Sequence, residues 1–494
     1  MANATIYPIS PKTALLLERP LFGHVIEGEV VPSQDGAMMP VIDPATGDQI
    51  ASAAAGSEAD VANAVRSARV AFDDGRWRYL APLEKERRLR KLATLVAEHG
   101  EEFAELDVLD AGLLRWYTGF IVQFAVDGID YFAGWPTKLQ GSIPPVPTDL
   151  AVYEMREPIG VVGLITPWNG PTAVFAFVAA AISAGNCVVL KPAEQTPMSA
   201  VLMAELALEA GLPPGVFNVV QGVGETVGAA LVAAHEVDAI SFTGSVPTGS
   251  AIQAAAARRV KRVGLELGGK SPFIIFPDAD LDAAAAAAQL GVWGASGQVC
   301  TAGTRVMVHR DVHDEVVQRI VEGSRDMRIG PGFDPSSELG PVVSADQLER
   351  VARYVSIGRE EGAELALGGS RYGEVGFFYE PTVFTGVRNE MRIAQEEIFG
   401  PVMTVLSFGS EDEAYALANA TEYGLAAGVW TNDLGRAHRA SRALRAGTVW
   451  INTYQMVYPT VPYGGVKLSG HGRTLGAASL DELTQIKSVW TKVG

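Results

Sequence analysis

The chain has two cysteines, Cys187 and Cys300, and only the second sits among residues that suit a nucleophile. Cys187 opens the apolar run Cys-Val-Val-Leu and reads as a buried, inert thiol. Cys300 closes Gly297-Gln298-Val299-Cys300, where the glycine lets backbone approach the sulfur closely. A free thiol ionises near pH ~8.5, so a reactive one needs amide-rich or electropositive surroundings, or a nearby base. Glu266, in Glu-Leu-Gly-Gly-Lys, ends an expected strand and would serve as a general base if burial raised its pKa. Asn169, in Thr-Pro-Trp-Asn-Gly-Pro, also follows a strand, and its amide is an uncharged donor suited to an oxyanion. Taken singly, each has an ordinary alternative: a structural thiol, a solvated strand-end acid, a turn residue between prolines.

A second group of motifs suits a dinucleotide. Phe242-Thr243-Gly244-Ser245-Val246-Pro247-Thr248-Gly249 runs from strand into helix, and free N–H groups at a helix start suit a pyrophosphate. Gly222 to Gly228 is glycine-rich but departs from the dinucleotide fingerprint, and reads as a turn with a glycine-lined helix start. Lys191 and Glu194 end another strand within reach of ribose hydroxyls, and the carboxylate would repel a 2′-phosphate, favouring NAD over NADP. Glu396-Glu397-Ile398-Phe399-Gly400-Pro401 reads as a loop, with a surface turn as its plain alternative.

These residues need elements to hold them. The first fifty residues read as short strands and turns. Ser57 with Asp60 marks a helix start, followed by Val61, Val65, Ala68 and Phe72 at helical spacing, and a second basic helix carries Leu89, Leu92 and Val96. From Gly160, apolar runs at 161–165, 187–190, 216–220, 239–242 and 263–267 alternate with helical stretches such as 172–184 and 199–209. That rhythm predicts α/β architecture with a parallel sheet covered by helices, and a second alternating region spans 271–461. A length of 494 residues implies two or three domains. The formal charge of −18 disfavours a nucleic acid or an anionic membrane surface as partner. No apolar run is long enough to span a bilayer, the first eight residues do not resemble a signal peptide, and two thiols suit a reducing compartment, so the cytoplasm is expected.

In this order, Phe-Thr-Gly-Ser, Glu-Leu-Gly-Gly-Lys, Gly-Gln-x-Cys and Glu-Glu-Ile-Phe-Gly-Pro resemble the aldehyde dehydrogenase superfamily over nearly the whole chain. The resemblance implies that Cys300 is the nucleophile and Glu266 the base, with Asn169 and the Cys300 N–H forming the oxyanion hole. It implies NAD held by Lys191 and Glu194 at the adenosine ribose, Ser245 and Gly244 at the pyrophosphate, and Glu397 and Phe399 at the nicotinamide end. Ile165, Thr166, Pro167, Trp168, Gly224, Gly228, Phe242, Thr243, Thr248, Leu267 and Gly268 would line the cofactor cleft. The implied fold is a Rossmann-type cofactor domain (residues 1–136 and 158–268), an α/β catalytic domain (269–461) and an oligomerisation arm (137–157 and 475–494) that builds a homodimer or homotetramer. No metal is implied.

The chain also departs from its relatives. Val178 and Thr474 stand where many carry a Lys and a Glu thought to relay a proton, and losing both together avoids a lone buried charge. Gln485 replaces a Glu that bridges arginines across the dimer, while Arg262 and Arg473 remain, so neutral hydrogen bonding is expected there. The substrate pocket implied by the resemblance comprises Gly170, Phe177, Trp293, Thr301, Val457 and Tyr463, with Trp116 at the entrance. Gly170, Gly294 and Val457 fall where bulky aromatics are common, so a bulky, hydrophobic aldehyde is expected. Two alternatives stand beside this reading: a CoA-acylating semialdehyde dehydrogenase, and a non-catalytic binding or structural member.

Overall fold

The computed structural model describes residues 7–493, so the first six residues used in the signal-peptide reading lie outside it. Two large sheets, each covered by helices, make up most of the chain. In the first, strands Val161–Ile165, Cys187–Lys191, Phe217–Val219, Ala239–Gly244 and Arg262–Leu267 all run parallel. Most of their side chains are buried on both faces, which is why they read as unbroken apolar runs. Strand Val161–Ile165 sits at the centre: the chain steps to one side for Cys187–Lys191 and returns to the other for Ala239–Gly244. Loops leaving those two neighbours therefore diverge, and an open crevice forms at the carboxyl ends of the strands.

The second sheet has seven strands, with Pro272–Ile275 and Arg305–His309 side by side and parallel near its middle. A separate two-stranded ribbon pairs Leu150–Pro158 with Thr484–Lys492 along its whole length. The helix expected from Ser57 spans Glu58–Asp73, and its capping box is formed, with Ser57 and Asp60 each bonding the other's backbone N–H. The basic helix spans Pro82–Glu98 and buries Leu89, Leu92 and Val96. One helix was not expected: Pro11–Leu17, where Ser10 caps the first turn and Pro11 occupies its first position, within a region read as short strands and turns. Residues 224–228 form a π-turn that runs into a short α-helix.

Candidate active site

Cys300 lies in the turn after helix Leu281–Trp293, and three features fix that turn. Gly297 has φ +72°, and a Cβ there would lie 1.9 Å from the carbonyl oxygen of Gly400, so only glycine fits. Gln298 is buried, donates to Ala295 O at 3.3 Å and accepts from Val343 N–H at 2.9 Å. Asn169 Nδ2 donates to Gln298 O at 2.8 Å, which ties the Pro-Trp-Asn loop to the cysteine turn across 129 residues of sequence. The same loop is anchored from behind, where Thr172 Oγ1 donates to buried Asp107 at 2.9 Å.

Glu266 is the next-to-last residue of strand Arg262–Leu267 and is only 6% exposed. Its Oε2 has no hydrogen-bond partner, and burial pushes its pKa well above the usual carboxylate range while Arg473 pulls it back. The Cys300 thiol is pushed up to about 11, mainly by the close packing around it. Its sulfur lies 3.2 Å from the Tyr463 hydroxyl and still keeps partial access to solvent. Glu397 is no surface acid: it accepts from Gly269 N–H at 2.9 Å, and burial raises its pKa to about 7. A side chain at Gly268 would collide with it, so the glycine pair after Glu266 makes room for Glu397. Helix Ala345–Glu360 grips the Glu397 loop through Gln347, which donates to Phe399 O at 2.6 Å, and through Arg350, which donates to Ile398 O at 3.1 Å.

The remaining cleft residues gather at the strand ends. Ile165 ends the central strand, and Thr166 N–H donates to Lys191 O at 3.1 Å. Beyond Pro167, Trp168 packs edge-on against Phe399, ring centres 5.2 Å apart. Lys191 Nζ bonds Glu194 at 3.1 Å, and Gly228 lies against the same lysine stem. At Gly224 a Cβ would meet nothing within 4 Å. Phe242, Thr243 and Gly244 end their strand, and Ser245 caps helix Val246–Ala257 with its hydroxyl 2.9 Å from Thr248 Oγ1. Leu267 packs onto Gly249 of that helix, where a Cβ would lie 2.6 Å from it.

Of the substrate-pocket residues, Tyr463 touches the sulfur and Thr301 follows it, its carbonyl accepting from Tyr454 at 2.8 Å. Gly170 leaves space, since a Cβ there would meet only Ala173. Val457 is half-buried, and Phe177 lines a cavity on the Glu266 side. Trp293 is a correction. It is 2% exposed, packs with Val306, Val308 and Ile320, and donates to Ser324 Oγ at 2.9 Å. Helix Leu281–Trp293 turns the indole into the core of the second sheet. Sequence reading also passed over Tyr117, half-buried beside Ala173 and Val299, with a phenol raised to about 12 by burial and by Cys300. One aromatic in the run Arg-Trp-Tyr-Thr-Gly-Phe carries no signal that marks it out.

Arg262 donates to Thr484 O at 2.7 Å and Arg473 to Gly465 O at 2.9 Å, both to backbone carbonyls of the same chain. Val178 is fully buried, and Thr474 exchanges backbone bonds with Tyr463. Among the described residues no group of three His, Cys, Asp or Glu could hold a metal, and no helix is long and apolar enough to cross a membrane.

The pattern of the aldehyde dehydrogenase family matches residues 30–489. The chain belongs to this family. A cytosolic aldehyde dehydrogenase 1 of Rattus norvegicus is 45% identical, covering 95% of this chain and 94% of its own. Retinal dehydrogenase 2 of Homo sapiens is 44% identical, covering 95% and 91%. The crystal structure of an aldehyde dehydrogenase of Bacillus cereus, described as an NAD+ complex, superimposes with TM-score 0.97 at 43% identity, over 99% of this chain and all of that one. The family fold is therefore present throughout, and the chain is an enzyme of the aldehyde dehydrogenase type.

Proposed function

We propose that this aldehyde dehydrogenase converts a bulky, hydrophobic aldehyde to its carboxylic acid through a thioester on Cys300. The observation that carries this reading is one contact chain: the Cys300 turn is tied to Asn169 through Gln298, and the Glu266 strand end lies beside it, at the switch point of a parallel sheet. The Cys300 thiolate attacks the aldehyde carbon. The oxyanion that forms meets the Asn169 amide and the Cys300 N–H, which strengthen their hold as charge develops. Once the thioester stands, Glu266 takes a proton from water, and the hydroxide displaces the sulfur to release the acid.

The cleft residues fit NAD+. The open space at Gly224, Lys191 beside Gly228, the helix start at Ser245 and the buried Glu397 offer groups for a ribose, a pyrophosphate and a second ribose. The related Bacillus cereus enzyme is described with NAD+ bound. When bound, NAD+ supplies the acceptor for the electrons leaving the aldehyde carbon. Residues 1–136 and 158–268 would form the cofactor domain, 269–461 the catalytic domain, and 137–157 with 475–494 the oligomerisation arm. Two free thiols favour the cytoplasm.

The preference for bulk rests on the open space at Gly170 and on exposed Trp116 and Phe120, which lead to Tyr117 near the sulfur. The human relative is named a retinal dehydrogenase. An NAD+-reduction screen over aliphatic, aromatic and terpenoid aldehydes, with and without CoA and with Cys300→Ala as blank, tests the reading. It predicts CoA-independent turnover, highest for bulky aldehydes, and none in the variant. A profile led by two-carbon aldehydes would remove the bulky preference, and strict CoA dependence would remove hydrolysis.

A further inference from the structure

The Tyr463 hydroxyl lies 3.2 Å from Cys300 Sγ, although 163 residues separate the two. This placement is firmly built. Tyr463 and Thr474 exchange backbone bonds, N–H to carbonyl, at 2.7 and 2.8 Å, which fixes the main chain on either side of the phenol. The next residue, Gly464, sits at φ +153°, where a Cβ would lie 2.7 Å from Glu266 Oε1. Two adjacent residues thus press on the nucleophile and on the proposed base.

We propose that Tyr463 is a further catalytic residue: its phenolic O–H donates to Cys300 Sγ and stabilises the thiolate. The proposal rests on Cys300 being the nucleophile. The groups around the sulfur explain why a neutral donor is useful there. Glu266 faces it from the strand end and Glu397 from its loop, and both oppose a negative sulfur. Tyr117, from helix Arg115–Ala133, and Tyr454, beyond strand Thr448–Ile451, sit near enough to feel its charge. Of the side chains among these groups only Tyr463 hydrogen-bonds the sulfur, the Thr301 backbone adds a smaller contribution, and the Tyr463 bond is the leading influence that eases ionisation against burial. Burial and the neighbouring thiol keep the phenol protonated, so it remains the donor when the thiol loses its proton. In that step the S–H proton passes to solvent water and the phenol keeps its own.

The test is alkylation of the full-length protein with iodoacetamide across a pH series, with Cys300 identified by peptide mass. The thiolate forms the S–C bond and iodide leaves. In Tyr463→Phe the midpoint of the pH profile should rise by about one unit, with an approximately tenfold slower reaction at neutral pH. Single-turnover acylation should slow by a similar factor while KM for the aldehyde changes little. Uniform replacement of tyrosine by 3-fluorotyrosine, a stronger donor, should move the midpoint down, and this measurement decides the matter if the Phe variant does not fold. A profile that superimposes on wild type in the folded Phe variant, or no shift with 3-fluorotyrosine, overturns the proposal. Failure of the underlying reading looks different: Cys300→Ala would keep oxidising aldehydes.

Discussion

Cys300 and Glu266 face the same cost, since burial disfavours the charged form of each. Burial therefore favours the protonated form of each, and each becomes useful only after losing its proton. The sign follows directly: both folded pKa values lie above their ordinary values, so the ionised forms grow as pH rises. Turnover should climb from neutral into alkaline pH. Glu266→Gln should lose ~10²–10⁴ in steady-state turnover while still forming one equivalent of reduced cofactor in the first turnover, as stopped-flow absorbance would read. A full loss of that burst would instead assign Glu266 to thiol activation. At this scale the sequence singled out Cys300, Glu266 and Asn169 only through the family-like motifs that hold them, and the structure brings those three segments together. The sequence was silent where contact depends on chain segments far apart. Nothing local announces that Tyr463 reaches the sulfur, or that the indole of Trp293 rotates into the core.

Elements make those contacts possible. The carboxyl ends of strands Val161–Ile165 and Arg262–Leu267 deliver Asn169 and Glu266, and the turn after helix Leu281–Trp293 delivers Cys300. The parallel strands were readable because burial on both faces leaves an uninterrupted apolar run. The Glu397 segment was readable as a loop, but its burial was not, because the loop is covered by Gln347 and Arg350 from a helix about fifty residues earlier. Helix Phe175–Ser183 offers a direct test of the departure at Val178, which is fully buried within it. Val178→Lys should destabilise the protein by several kcal/mol, on the order of 3, because the charge would enter an apolar core with no carboxylate at Thr474. Chemical denaturation reads this loss. Unchanged stability would show that water reaches residue 178.

Two large sheets make up the body of the chain, and the ribbon of Leu150–Pro158 with Thr484–Lys492 pairs with neither. That ribbon exposes Tyr153 and Met155 on one face and Ile486 and Trp490 on the other, apolar surface that a second copy would remove from water. If this ribbon joins copies of the chain, Ile486→Glu with Trp490→Glu should lower the mass seen by sedimentation, and an unaltered mass would show that it joins none. The two-sheet architecture was legible from strand–helix alternation, whereas the short helix Pro11–Leu17 was hidden by residues that also make turns.

The central claim is a covalent bond between substrate and one sulfur. Rapid acid quench of Glu266→Gln with NAD+ and a bulky aldehyde, followed by peptide mass analysis, examines that bond directly. The account predicts one acyl group on the peptide containing Cys300 and none on that containing Cys187. Accumulation of free acid with no acyl-enzyme, or an acyl group on any other residue, would contradict it.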